Sequence, residues 1–190
     1  LGGTGVASGA LSSILKIQSF SEDLTTTPIT TWDEVFDSAR AKITIEKGTD
    51  STTFIVRLTG IDPSVANTTF GSHLHTDACV EGKPLDAGPH YNDQVVVDGK
   101  KFPSPTVDPA DWAVVSPETE AWFELVPDEE GMAYDKTTVP FVPVDPNGVM
   151  SVVVHQSYTK PDGTAGTRQA CFPVDVSQLF PTEASVSNSG

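Results

Sequence analysis

The chain has 190 residues, 37% of them hydrophobic and 19% charged, enough for one domain with a full core. A formal charge of −15 argues against nucleic acid and anionic membrane surfaces as partners, and no apolar run is long enough to insert into a bilayer. Fifteen glycines and fifteen prolines exclude a long helical bundle and favour short strands joined by turns.

The opening "LGGTGVASGALSSIL" has neither an initiator methionine nor a basic stretch, so it reads as the start of a mature or trimmed chain. Small polar residues at both ends, the last ten being "PTEASVSNSG", predict mobile tails. "WDEVFDSA" places Trp32, Val35, Phe36 and Ala39 at helical spacing and predicts one short helical turn. The period then changes to two: Ala39, Ala41, Ile43 and Ile45 alternate with other residues, and so do Phe54, Val56 and Leu58 in "TTFIVRL". Further strands are expected at "SHLH", "QVVVD", "EAWFELV", "VMSVVVHQ" and "ACFPVDV", divided by "DPSVANTTFG", "DEEG", "VDPNG" and "KPDGTAG". Seven or eight short strands with turns between them predict an all-β antiparallel sandwich or barrel in a single domain. "FPSPTVDPADW" predicts a long surface loop, and Asn67-Thr68-Thr69 is a glycosylation sequon.

The histidines are unevenly spent. Residues 71–92, "GSHLHTDACVEGKPLDAGPHYN", hold three of the four in the chain and one of its two cysteines. His73 and His75, two apart on a strand, project to one face and can reach one point. His90 follows a Gly88-Pro89 turn that can carry it back toward them, and His155 ends the buried-looking run "SVVVH". Each has an ordinary explanation alone, but together they place every histidine of the chain in a metal-ligand context. The two cysteines are either inert buried thiols or one long-range bridge in an oxidising compartment. All-imidazole ligation suits copper or zinc; structural zinc usually takes cysteine, which favours copper here.

These segments resemble the two signature regions of the copper-zinc superoxide dismutases. Gly71, His73, His75, Cys79, Gly88, Pro89, His90 and Asn92 fit the first. His155, Gly166, Arg168, Ala170 and Cys171, in "SVVVHQSYTKPDGTAGTRQACFPV", fit the second. The resemblance runs from about residue 39 to 176, leaving an N-terminal extension and a C-terminal tail. It implies an eight-stranded Greek-key barrel or sandwich, one copper held by His73, His75, His90 and His155, a Cys79–Cys171 disulfide, and Arg168 beside the open copper face. No histidine lies between His90 and His155, so the family's zinc site cannot be assembled, and the segment from His155 to Arg168 is short. Both departures resemble the copper-only branch, which is extracellular or at the cell surface; a secreted, cell-surface or periplasmic location is the expectation.

Without zinc another group must hold the second ring nitrogen of His90. In "SPETEAWFELV", Glu118 and Glu120 fall on one face of an expected strand, and copper-only relatives place a glutamate near here. Glu120 is preferred, with Glu118 as runner-up. The implied activity is disproportionation of superoxide to oxygen and hydrogen peroxide, with Arg168, helped by Lys160, docking the anion. The chain is expected to work as a monomer, without zinc, nucleic acid or membrane insertion. A copper-storage module and a non-catalytic domain of the same fold are the alternatives.

Overall fold

The structure is a computed structural model and describes residues 27–94, 96–97, 100–101, 114–143, 149–176 and 179. Both expected tails, the "FPSPTVDPADW" loop and the "VDPNG" turn lie outside these residues.

In chain order the strands are β1 (Thr27–Pro28), β2 (Thr30–Thr31), β3 (Arg40–Lys47), β4 (Thr52–Thr59), β5 (Phe70–His75), β6 (Val96–Val97), β7 (Lys100–Lys101), β8 (Trp122–Leu125), β9 (Ala133–Val139), β10 (Met150–His155) and β11 (Arg168–Val174). They build a four-stranded antiparallel sheet, β1-β3-β4-β9, and a five-stranded one, β2-β11-β10-β5-β8, with β6 and β7 paired apart. Of the barrel and the sandwich, the chain takes the sandwich; the described strands do not close into a barrel. The helical spacing at "WDEVFDSA" becomes a 3-10 turn at Glu34–Phe36, capped by Asp33, whose carboxylate accepts the Val35 N–H at 3.0 Å.

Phe54, Val56 and Leu58 from one sheet are buried with Leu74, Phe123, Val152, Val154 and Phe172 from the other in one apolar cluster. Phe54 and Phe123 meet edge to face, ring centroids 5.8 Å apart. Asn67, the sequon residue, is exposed with φ 65°, and its N–H donates to Pro127 O at 2.8 Å.

β9 has no counterpart among the sequence expectations. Its segment, "AYDKTTV", alternates too, but only Ala133 and Val139 are fully buried while Tyr134, Lys136 and Thr138 face solvent. It is an edge strand, and edge strands carry little apolar signal. Two of its side chains reach the neighbouring edge: Asp135 Oδ2 accepts the Glu124 N–H at 2.8 Å, and the Thr137 hydroxyl donates to Trp122 O at 2.8 Å. At the opposite side residues 27–31 pair with β3 in one sheet and β11 in the other.

β5 and β10 are buried at every position, so both their faces are covered. Phe70, Leu74, Met150, Val152 and Val154 belong to the core, which leaves the alternate residues for the outer face of the sheet. There the register sets Val153 opposite His73 and opposite Cys171. A bulge follows: Val154 pairs with Ala170, but His155 pairs with Arg168, so Gln169 is the extra residue. That one-residue insertion reverses the alternation of β11 and turns Arg168 to the same side as His155.

Cys79 and Cys171 form a disulfide with Cα atoms 5.7 Å apart, spanning 92 residues. It lies with Ala87, Val153 and Trp32 in a second, small apolar cluster on the same outer face as the histidines. Chain entropy alone assigns such a cross-link about 4 kcal/mol. The double variant Cys79→Ala/Cys171→Ala should therefore melt well below the parent in a thermal scan; equal melting temperatures would show that the bridge does not stabilise the fold.

Candidate metal centre

Four imidazoles from three separate segments converge on the outer face of the five-stranded sheet. His73 and His75 come from β5 and His155 from the end of β10, while His90 forms an isolated bridge with His75. One ring nitrogen from each lies within 4.8 Å of the other three. His73, His75 and His155 are buried, and the His90 side chain is 20% exposed. His90 therefore marks the side of the cluster that faces solvent.

Each ring is held by its outward edge. His75 Nδ1 donates to Gly88 O at 2.8 Å and His155 Nδ1 to Gly166 O at 3.0 Å. His90 Nδ1 meets Glu120 Oε1 at 2.8 Å. All three thus turn Nε2 inward, and the Nε2 atoms of His75 and His155 are 3.3 Å apart. His73 is reversed: its Nε2 meets the Thr159 hydroxyl at 2.8 Å, and its buried Nδ1 has no partner among the described residues. A buried nitrogen left without a partner costs about 1–3 kcal/mol unless something occupies the centre. A cation ligated by Nδ1 of His73 and Nε2 of the other three removes that cost, so the donor set fits a metal ion.

Burial keeps His73, His75 and His155 uncharged. It holds His73 and His75 well below the ordinary imidazole range, and interaction with the other cluster rings and with the Arg168 guanidinium lowers them further. His155 is lowered to about 4, again chiefly by burial. Neutral imidazole is the ligating form.

Glu120 and Glu118 do not share a strand face, because β8 begins only at Trp122. The chain turns before it, with the N–H groups of Thr119 and Glu120 both on Ser116 O. That turn sends Glu118 into solvent and buries Glu120, 2% exposed. Three donors converge on the Glu120 carboxylate: His90 Nδ1 and Trp122 Nε1 on Oε1, the latter at 2.9 Å, and Asn92 Nδ2 on Oε2 at 3.3 Å.

Arg168 is half-buried and anchors the loop that carries His90. Its Nη1 donates to Pro84 O at 2.8 Å and its Nη2 to Gly88 O at 2.7 Å. Gly88 O thus receives both Arg168 and the ligand His75. Gly88 has φ 75°, and a Cβ there would fall 2.2 Å from Asp77 Oδ2, so only glycine fits. Lys160 is exposed in the hairpin that follows β10. Sequence reasoning missed Thr159, Trp122 and the two carbonyls. Hydroxyls in turns are common, and a carbonyl has no residue signature.

In comparisons with known proteins, no family model and no curated protein matches the chain.

The buried histidines make the metal-free chain acid-sensitive. In the unfolded chain they protonate near pH 6.5, whereas in the folded one His155 does so only near 4 and His73 and His75 resist protonation still more. Unfolding takes up protons in that window, so stability is full above pH 6.5 and falls as pH drops toward 4. His155 alone contributes a loss of about 3 kcal/mol by pH 4. Urea midpoints of metal-free protein at pH 7.5, 6 and 4.5 should fall in that order; a flat series would contradict the neutral, buried state of these rings.

Proposed function

We propose that the chain is a copper-dependent superoxide dismutase of the copper-only type, built on a Greek-key sandwich like that of the copper-zinc enzymes and working in an oxidising compartment outside the cytosol. The observation that carries this reading is the ring geometry: three inward Nε2 atoms and one buried, partnerless Nδ1, with an arginine alongside. All-nitrogen ligation suits copper. The chain has four histidines, all used here, so it cannot supply the further histidines of the family's zinc site.

When bound, copper supplies one-electron redox chemistry, by which two superoxide anions and two protons become one oxygen and one hydrogen peroxide. The protein's own groups do the rest. His73, His75 and His155 would hold the ion from the buried side and His90 from the side that faces solvent. Glu120 keeps the His90 ring in place and is itself held by Trp122 and Asn92. The Arg168 guanidinium, across the ladder from His155, provides a fixed positive charge for the incoming anion in a chain that is otherwise strongly negative. Its two carbonyl bonds hold that charge in position.

The test is reconstitution with copper and zinc together, dialysis, elemental analysis, and a superoxide assay on the same sample. One copper, no retained zinc and a rate far above that of free copper are expected. Arg168→Ala should lower the second-order rate by about tenfold while copper is retained. Bound copper without turnover would favour the storage module, and a full equivalent of zinc would overturn the copper-only reading.

Glu120→Gln offers an amide in place of the carboxylate that now receives three donors. Turnover should fall by about tenfold or more, with most copper retained, whereas exposed Glu118→Gln should stay near the parent rate. Rapid-mixing assays on both variants check this; the reverse ranking would remove Glu120 from its role.

A further inference from the structure

Of the four imidazoles, three are held by groups that fix which nitrogen faces inward. Gly88 O and Gly166 O can only accept, so His75 and His155 carry their proton on Nδ1 and aim a lone pair from Nε2 at the centre. His90 is held in the same sense through Glu120. His73 differs on both counts: its outward atom is Nε2, and the group that meets it is a hydroxyl, which can donate as well as accept. Two arrangements therefore satisfy the bond. In one, Thr159 donates to Nε2 and the ring proton sits on Nδ1, inside the cluster. In the other, Nε2–H donates to Thr159 and the Nδ1 lone pair is free.

We infer that Thr159 is the positioning residue for His73: by accepting from Nε2–H, its hydroxyl presents the Nδ1 lone pair to the bound cation. The inference rests on the proposed function only for the identity of that cation. Thr159 is placed for this with some care. The hairpin after β10 is closed by Ser157 N to Ala165 O at 2.9 Å and Lys160 N to Thr164 O at 2.8 Å. It docks on β5 through Gly71 N to Ser157 O at 2.8 Å, and Thr159 N donates to Glu124 Oε1 at 3.2 Å. A Cβ on Gly71 would fall 2.5 Å from Thr159 Oγ1 and 2.8 Å from Thr159 N. The bare α-carbon two residues before His73 is thus what lets the hydroxyl reach the ring. His73 is also the one cluster ring whose proton can change sides without moving any heavy atom. Ion entry can be met by transfer of the ring proton from Nδ1 to Nε2, with the hydroxyl rotating from donor to acceptor.

The experiment compares the parent with Thr159→Val, which keeps the shape and loses the hydroxyl, and Thr159→Ser, which keeps the hydroxyl. Copper(II) affinity is measured by chelator competition and ligation by electron paramagnetic resonance. The His73 tautomer is read from ¹⁵N shifts of metal-free and copper(I)-loaded protein. Melting of the metal-free forms checks that all three fold. The valine variant should bind copper(II) about tenfold or more weakly, with an altered spectrum. Serine should restore both, and the parent's His73 should carry its proton on Nε2 when loaded. A parent that takes up no copper overturns this inference together with the proposed function. A parent that binds copper beside a valine variant of equal affinity, spectrum and ¹⁵N shifts overturns the role of Thr159 alone.

Discussion

Four imidazoles cannot share a space 4.8 Å across unless each has somewhere other than the centre to put its ring proton. Nearly every unusual feature of this chain serves that constraint. Two backbone carbonyls, one carboxylate and one hydroxyl take the outward ring edges. Those four oxygens come from three segments, Thr159 and Gly166 sharing the hairpin after β10, so each segment must be held still. Gly88 sits in a conformation closed to other residues, and its carbonyl is clamped by Arg168. The Gly166 carbonyl lies at the return of the hairpin after β10, and Glu120 is fixed by a turn on Ser116 O. The centre is thus assembled by its periphery, and the sheet supplies only the platform.

The platform matters in one respect, which is parity. A strand offers alternate residues to each face, and β5 gives its even positions to the core and its odd ones to the histidine cluster. β11 would send Arg168 to the wrong side if the ladder were regular. The extra residue Gln169 corrects it, placing a cation opposite His155 at the cost of one irregular pair. Bulges of this kind re-aim side chains beside functional sites, and here the re-aimed group is a positive charge that clamps the His90 loop.

How much of this was legible beforehand follows from what leaves a trace in sequence. The two-residue spacing of His73 and His75 is a direct statement about one face of a strand, and the core alternation Phe54, Val56, Leu58 is equally plain. The Cys79–Cys171 pairing and Arg168 became readable only through the resemblance of the surrounding motif. Glu120 rather than Glu118 lies beside His90, but the preference for it rested on a shared strand face, and the structure has a turn there instead. β9 was overlooked because a solvated edge strand carries almost no apolar alternation. Thr159 was overlooked because its role depends on a hairpin docking across the sheet, a tertiary fact that no local pattern encodes.

The edges of the sandwich bear on how copies of this chain meet one another. An unpaired strand edge normally offers a row of free N–H and C=O groups on which another chain can add a strand. On β8 that row is interrupted: Asp135 occupies the Glu124 N–H and Thr137 occupies the Trp122 carbonyl. On the other side the Thr27–Thr31 segment lies along one edge of both sheets. Side chains and a short strap therefore stand where a neighbour's backbone would otherwise bond. At these positions strand addition by a neighbour, the common hazard of an all-β protein crowded at high concentration, meets groups that are polar, local and inexpensive to keep.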